Sequence, residues 1–186
     1  MGFPNHATIE IPGNYPELSA IAASALSDPD GAQHELVGGL LGQKARAGHL
    51  CVNAWILDPD MRAVVLVEHP RFSWTNPGGH LIAGETPSAG AAREVLEETG
   101  LVGRLAIEVP VAIVATLIPA VSRPTGDLPA HMHYTLTYAY LAERDATLGG
   151  EAGQRVQWFN LDEPLPEGFF GDNWHVHGHV ERLRLI

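Results

Sequence analysis

Five charged side chains between Gly79 and Leu101 carry the most legible chemistry of this chain: Glu85, Arg93, Glu94, Glu97 and Glu98. Thr86 suits an N-cap, Pro87 the first helical position, where a missing N–H costs nothing, and Gly100 the left-handed residue that ends a helix. A helix from Pro87 to Thr99 is therefore expected. At about 3.6 residues per turn it puts Glu94, Glu97 and Glu98 on one face, with Ala92, Val95, Leu96 and Thr99 on the opposite, core-packing face. Like charges so spaced destabilise a helix by roughly a few tenths of a kcal/mol, and Arg93 is the only cation on it. Oxygen-only ligands of this kind suit a hard divalent cation, Mg²⁺ or Mn²⁺. Magnesium keeps several waters and completes its shell with phosphate oxygens, and such a metal can lower the pKa of a bound water. Hydrolysis of a diphosphate linkage is the reaction these residues point to.

Written as a pattern, the stretch is Gly79, five residues, Glu85, seven residues, Arg93-Glu94, an aliphatic, any residue, Glu97-Glu98, any residue, Gly100 and an aliphatic. This resembles the Nudix box of the Nudix hydrolases, with no position departing from it. The resemblance implies an α/β/α sandwich with a mixed β-sheet across about Gly48 to Ile186. The first 47 residues are then an N-terminal helical extension, open to packing on the sheet or across a homodimer interface. It also implies that Glu94, Glu97 and Glu98 coordinate metal, and that Glu85 supports the site through a salt bridge with Arg93. Pro77-Gly78-Gly79 lets the backbone approach the metal, with the carbonyl of Gly78 as an extra ligand. Family members often recruit a further carboxylate from a loop as metal ligand or general base. Glu151, among flexible glycines, holds the corresponding place, and Glu143 is the weaker candidate.

The composition fits a soluble enzyme. With 186 residues and 45% hydrophobic content the chain is long enough for one well-buried domain and short for two. Eleven Lys and Arg against 22 Asp and Glu give a net charge of −11, which argues against binding a nucleic-acid backbone. The longest apolar stretch, Val109 to Val121, is interrupted by Pro110 and Pro119 and is too short to span a bilayer. Met1 to Gly13 lacks the basic start and apolar run of a signal peptide, and a single cysteine, Cys51, rules out an internal disulfide. A cytoplasmic location without a membrane partner is the expectation. Cys51 is read as a small buried strand residue.

Two short helices are expected around Leu18 to Leu26 and Leu36 to Leu41, split by Ser27 to Gly31. Leu50 to Leu57 and Ala63 to Glu68 read as strands joined by a hairpin at Asp58 to Arg62. Leu105 to Thr116, His133 to Leu141 and Arg155 to Asn160 read as further strands, and Asn173 to Leu185 as a closing helix.

Ten histidines are the second unusual feature. Alternation along a strand puts His131 and His133 on one face, where with His80 they are expected to line the substrate pocket. A zinc site is the sharper alternative, with His175, His177 and His179 as further ligands. The pocket reading is preferred because no cysteine partner is evident and only His175 and His179 share a helix face. Phe72, Trp74, Tyr134 and Trp174 could stack a base, with core packing the preferred account for each; Trp74 is the one carried into the candidate substrate pocket. Some family members with a similar Pro-Gly-Gly-His stretch carry an acidic residue two positions after the second His of a later His-x-His; here that position is Thr135.

Within the resemblance, the substrate is a nucleoside diphosphate linked to another moiety: a nucleoside triphosphate or a nucleotide sugar such as ADP-ribose. ADP-ribose hydrolases often carry a proline about where Pro119 stands. The alternative is a non-catalytic Nudix-fold sensor of a nucleotide metabolite, which would have no need of all five charged residues.

Overall fold

A computed structural model describes residues 8–12, 15–24, 48–70, 73–122, 126–151, 153–169 and 173–186. Its strands are β1 (Thr8–Pro12), β2 (Gly48–Leu57), β3 (Ala63–His69), β4 (Ser73–Thr75), β5 (Gly78–His80), β6 (Arg104–Leu105), β7 (Ala112–Ile118), β8 (His131–Leu141) and β9 (Val156–Asn160). The helices are α1 (Tyr15–Ser24), α2 (Pro87–Thr99) and α3 (Asn173–Leu183). The expected helix around Leu36 to Leu41 lies outside the described residues.

All nine strands join one sheet in the order β1-β7-β8-β2-β3-β4, with β5 paired to β2, β6 to β8 and β9 to β3. Among the described strands only β2 and β8 run parallel, over ten registered pairs from Gly48↔Met132 to Leu57↔Leu141. The side-chain period of two then sorts each central strand onto two faces. Leu50, Val52, Ala54 and Ile56 of β2 join Tyr134, Leu136, Tyr138 and Tyr140 of β8 in a core closed by Leu18 and Ile21 of α1 and Ala91 and Val95 of α2. On the other face, Trp55 and Leu57 join Ala139 and Leu141 under Val176, Val180 and Leu183 of α3. Helices thus cover both faces of a mixed sheet, the α/β/α sandwich anticipated above.

Differences from the sequence reading have local causes. Leu105 to Thr116 is not one strand: β6 ends at Leu105, bends follow, and β7 starts only at Ala112, after Pro110, which has no N–H to lend a ladder. On α2 the buried stripe is Ala91, Val95 and Thr99, at successive steps of four, whereas Ala92 is exposed and Leu96 is 51% exposed. Those two residues, expected on the core face, lie about one helical step beyond it. The three-residue strands β4 and β5 carry too little pattern to be read from sequence, and β1 was not anticipated.

The N-terminal segment takes part in this core. β1 pairs antiparallel with β7, from Thr8↔Thr116 to Pro12↔Ala112, and Leu18 and Ile21 are almost fully buried. Among the described residues no helix is long and apolar enough to cross a membrane. Truncating Ile21 to Ala should cost about 2–5 kcal/mol of unfolding free energy in urea denaturation, the range for a large core aliphatic. A loss within error would mean that α1 packs only superficially.

Candidate functional site

The helix that carries the carboxylates is set by its caps. Thr86 accepts a hydrogen bond from the Ala89 N–H at 3.1 Å, Pro87 opens the helix, and Gly100 closes it with φ of 70°. Each was expected from its residue type. Gln154 and the loop around Glu151 cross the far end of the helix, where the Gly149 N–H bonds the Thr99 carbonyl at 2.9 Å.

Arg93 organises the charges. Its Nε and Nη2 reach the two carboxylate oxygens of Glu85 at 3.0 and 3.2 Å, a two-pronged pairing that joins the loop to the helix. Its Nη1 donates to Glu94 at 2.8 Å and Glu97 at 2.9 Å, and Nη2 also donates to the His80 carbonyl at 3.1 Å. The expected Glu85–Arg93 pair is present, and the guanidinium gathers two of the helix glutamates besides. Burial alone would raise the Glu85 carboxyl, but the hydrogen bonds and charge of Arg93 and the Ile82 N–H outweigh it and hold it below the usual carboxylate range.

Glu94 is 9% exposed and sits beneath β5, close enough that a Cβ added to Gly79 would lie 2.4 Å from its Oε1. No side chain fits between that strand and the carboxylate, which is why glycine stands there. Glu98 Oε2 accepts from the Gly78 N–H at 2.8 Å, and Oε1 lies 3.5 Å from the Gln154 amide. Burial raises both carboxyls above their ordinary value, against Arg93 at Glu94 and against the Gly78 and Gln154 donors at Glu98. Glu97 is the exposed member of the trio. Glu151 is exposed on its loop, near enough for its charge to raise Glu98 further. Glu143 is exposed at the end of β8.

Gly78, Glu85, Arg93, Glu94, Glu97, Glu98 and Glu151 therefore lie together around one end of β5 and one face of α2. Gln154 was not anticipated; a lone loop glutamine has no sequence signal.

The model of the NUDIX domain matches residues 48–177. This chain belongs to the Nudix family. Among solved structures it is similar to a NUDIX-family hydrolase from Clostridium perfringens, at 19% identity and a TM-score of 0.52, covering 74% of this chain and 97% of that one. A MutT structure from work on Aliivibrio salmonicida and Vibrio cholerae matches at 18% identity, with 71% and 96% covered and a TM-score of 0.42. A NUDIX hydrolase from Nitrosomonas europaea shares 28% identity over 61% of this chain and 72% of that one, with a TM-score of 0.42. No curated protein matches the chain.

The other residues assigned to the substrate pocket of this Nudix chain separate into two groups. His80, His131 and His133 lie together: His80 and His133 have ring centroids 5.1 Å apart, and the Nε2 atoms of His131 and His133 are 3.2 Å apart. Trp74 is instead packed in the α3-side core, 7% exposed, with its ring against Phe159 at 4.9 Å and Arg155 at 5.1 Å. Tyr134 is buried as a core residue; Phe72 and the side chains of Trp174 and His175 lie outside the described residues. Of the α3 histidines, His179 is buried against Trp55 at 6.3 Å and beside Arg182.

The expectation that no cysteine stands near the histidines is overturned. The ligand atoms of His49, Cys51, His80 and His133 all lie within 4.8 Å of one another. Cys51 is buried, as expected of a strand residue, but the parallel register His49↔His133 and the antiparallel register Cys51↔His80 bring it among histidines remote in sequence.

Raised carboxyls make a stability prediction. For an acid whose folded pKa is raised, the charged form opposes folding fully above that raised pKa; the opposition shrinks as pH falls through it and is gone below the ordinary carboxylate pKa. In the absence of divalent cations, Glu98→Gln should therefore melt at a higher temperature than wild type at pH 8, with the gap closing toward pH 4. Thermal denaturation followed by circular dichroism in chelator measures it; a variant that melts lower at both pH values would mean that Glu98 is held by its ionic form.

Proposed function

We propose that this protein is a Mg²⁺- or Mn²⁺-dependent hydrolase of a diphosphate linkage, acting on a nucleoside diphosphate joined to another moiety. One observation carries the reading: two glutamates half-buried or deeper face β5, and Glu98 is matched only by neutral N–H donors among the described residues. A buried carboxylate matched by neutral donors alone is short of positive charge. The donor set of Glu94, Glu97 and Glu98, with the Gly78 carbonyl beside them, is all oxygen and fits a hard divalent cation. When bound, that cation would offset phosphate charge and lower the pKa of a water.

The chain's own residues divide the remaining work. Arg93 and Glu85 fix the loop against the helix, so that the glutamates need no reordering when substrate arrives. Glycine at 79 lets the β5 backbone lie against Glu94, and glycine at 78 lets it pack on β2 while its N–H reaches Glu98. Glu151, exposed on the adjacent loop, is assigned as general base, taking the proton of the attacking water as the bond to phosphorus forms. Leaving phosphate departs with its bridging oxygen.

The group beyond the diphosphate is read by the second face of the sheet. Among the described residues, buried Asn53 Oδ1, Trp55 Nε1 and Thr137 Oγ1 have no hydrogen-bond partner, and Asn53 and Thr137 are paired in register. These polar atoms support a polar substrate moiety such as a sugar or nucleobase. A nucleoside triphosphate and a nucleotide sugar of the ADP-ribose type are the two substrate classes proposed.

A panel of nucleoside triphosphates, nucleotide sugars and dinucleotides, assayed for released phosphate or nucleoside monophosphate, tests the proposal. Turnover should require Mg²⁺ or Mn²⁺, and Glu98→Gln should lower kcat by 100-fold or more while the protein stays folded. Full turnover by that variant, or turnover unaffected by chelator, would refute it. Should no compound react while one raises the melting temperature, the nucleotide-sensor reading would replace it.

A further inference from the structure

The second face of the sheet changes character along its strands. Toward α3 it is apolar, with Trp55, Leu57, Ala139 and Leu141; toward the start of β2 and β8 the same alternating positions are His49, Cys51, Asn53, His131, His133, Thr135 and Thr137. A five-residue group of four imidazoles and one thiol is unusual on a sheet face, where such positions ordinarily carry β-branched or aromatic packing residues.

Within it the side chains point at one another. His49 Nε2 and His80 Nε2 are 2.9 Å apart, and the His49 ring centroid is 4.5 Å from that of His133 and 5.0 Å from that of His131. The four atoms of His49, Cys51, His80 and His133 able to bind a cation lie within 4.8 Å of one another. A tetrahedral ion bound at ordinary Zn–N and Zn–S lengths needs its ligand atoms roughly 3.3–3.6 Å apart, so small side-chain rotations suffice to close the group.

We propose that His49, Cys51, His80 and His133 form a site for a tetrahedral transition-metal ion, zinc first, separate from the carboxylate site on α2. Imidazole and thiolate ligands select Zn²⁺ over Mg²⁺ or Mn²⁺, which take oxygen. His131 stands behind His133: its Nδ1 lies 2.9 Å from the Pro129 carbonyl, an acceptor only, so Nδ1 carries the proton and Nε2 is left as an acceptor facing His133 at 3.2 Å. That arrangement holds one tautomer and ring orientation of His133, the part outer partners play at metal-bound histidines. Burial and the neighbouring His49, His80 and His131 push His133 down to about 3, so it is neutral and able to ligate near neutral pH. Burial and the Glu94 charge push the Cys51 thiol up to about 12, so binding must release the thiol proton to solvent as the metal–sulfur bond forms.

Four protein ligands leave no open coordination position, which makes this a structural site and not a catalytic one. It draws ligands from β2, β5 and β8. The short strand β5 would thereby be clamped to the sheet, and with it Gly78 and Gly79, the backbone that lies against Glu98 and Glu94.

The test uses the full chain stripped of metal by chelator, then titrated with Co²⁺ alone or Zn²⁺ alone in excess Mg²⁺. One equivalent of Co²⁺ should give intense tetrahedral ligand-field bands and a near-ultraviolet thiolate charge-transfer band, both erased by one equivalent of Zn²⁺. Cys51→Ser should lose the charge-transfer band and weaken binding by tenfold or more, and His133→Ala should weaken it similarly. Should either variant fail to fold, His80→Ala, at an exposed position, supplies the comparison. Glu97→Gln should bind cobalt as wild type does, whether or not the diphosphate-hydrolase reading stands. Absence of the bands, an unchanged spectrum in Cys51→Ser and His80→Ala, or their loss in Glu97→Gln would overturn the proposal; the last would place the cobalt at the carboxylates.

Discussion

One guanidinium holds the candidate site together. Arg93 spends its donors on Glu85, Glu94, Glu97 and the His80 carbonyl, all within 2.8–3.2 Å. Without it a loop carboxylate, a buried helix carboxylate and an exposed one would repel across a few ångströms in a partly desolvated place. A lysine could not replace it, because a single ammonium cannot span both oxygens of Glu85 while also reaching the helix. The remaining deficit falls on Glu98, held among the described residues by neutral donors alone, and that deficit is what supports a metal there.

The sheet beneath sets the other constraint. Its parallel β2–β8 pair is the spine of both cores, and its two faces do different things. One face is apolar along its full length and seats α1 and α2; the other is apolar only where α3 covers it and otherwise carries histidines, a thiol and unpaired polar atoms. The carboxylates on α2 and the histidines on the second face meet at β5. Its three residues offer Gly78 to Glu98, Gly79 to Glu94 and His80 to Cys51. Two sites of different ligand chemistry thus share one short strand.

What could be read from the sequence was local. Caps at Thr86 and Gly100, the Glu85–Arg93 pair, the hairpin at Asp58 to Arg62 and the His131/His133 alternation all depend on residues a few positions apart, and the structure has each of them. What escaped was set by pairing across long separations. His49 meets His133, and Cys51 meets His80, only because of strand registers that no spacing announces. The zinc alternative drew its further ligands from α3, where the sequence is dense in histidine, but His179 is turned against Trp55 instead. Ala92 and Leu96 looked like core by hydrophobicity, yet the packed stripe runs through Ala91, Val95 and Thr99, so that Glu94 is buried beside it.

The central claim is that one Nudix chain holds oxygen ligands on α2 and nitrogen-sulfur ligands on the sheet for two different cations. Anomalous diffraction from a crystal equilibrated with Mn²⁺ and one equivalent of Zn²⁺, recorded at both absorption edges, tests it most directly. The account predicts a manganese peak among Glu94, Glu97 and Glu98, and a zinc peak among His49, Cys51, His80 and His133. Both metals at a single position, or no peak at the carboxylates, would contradict it.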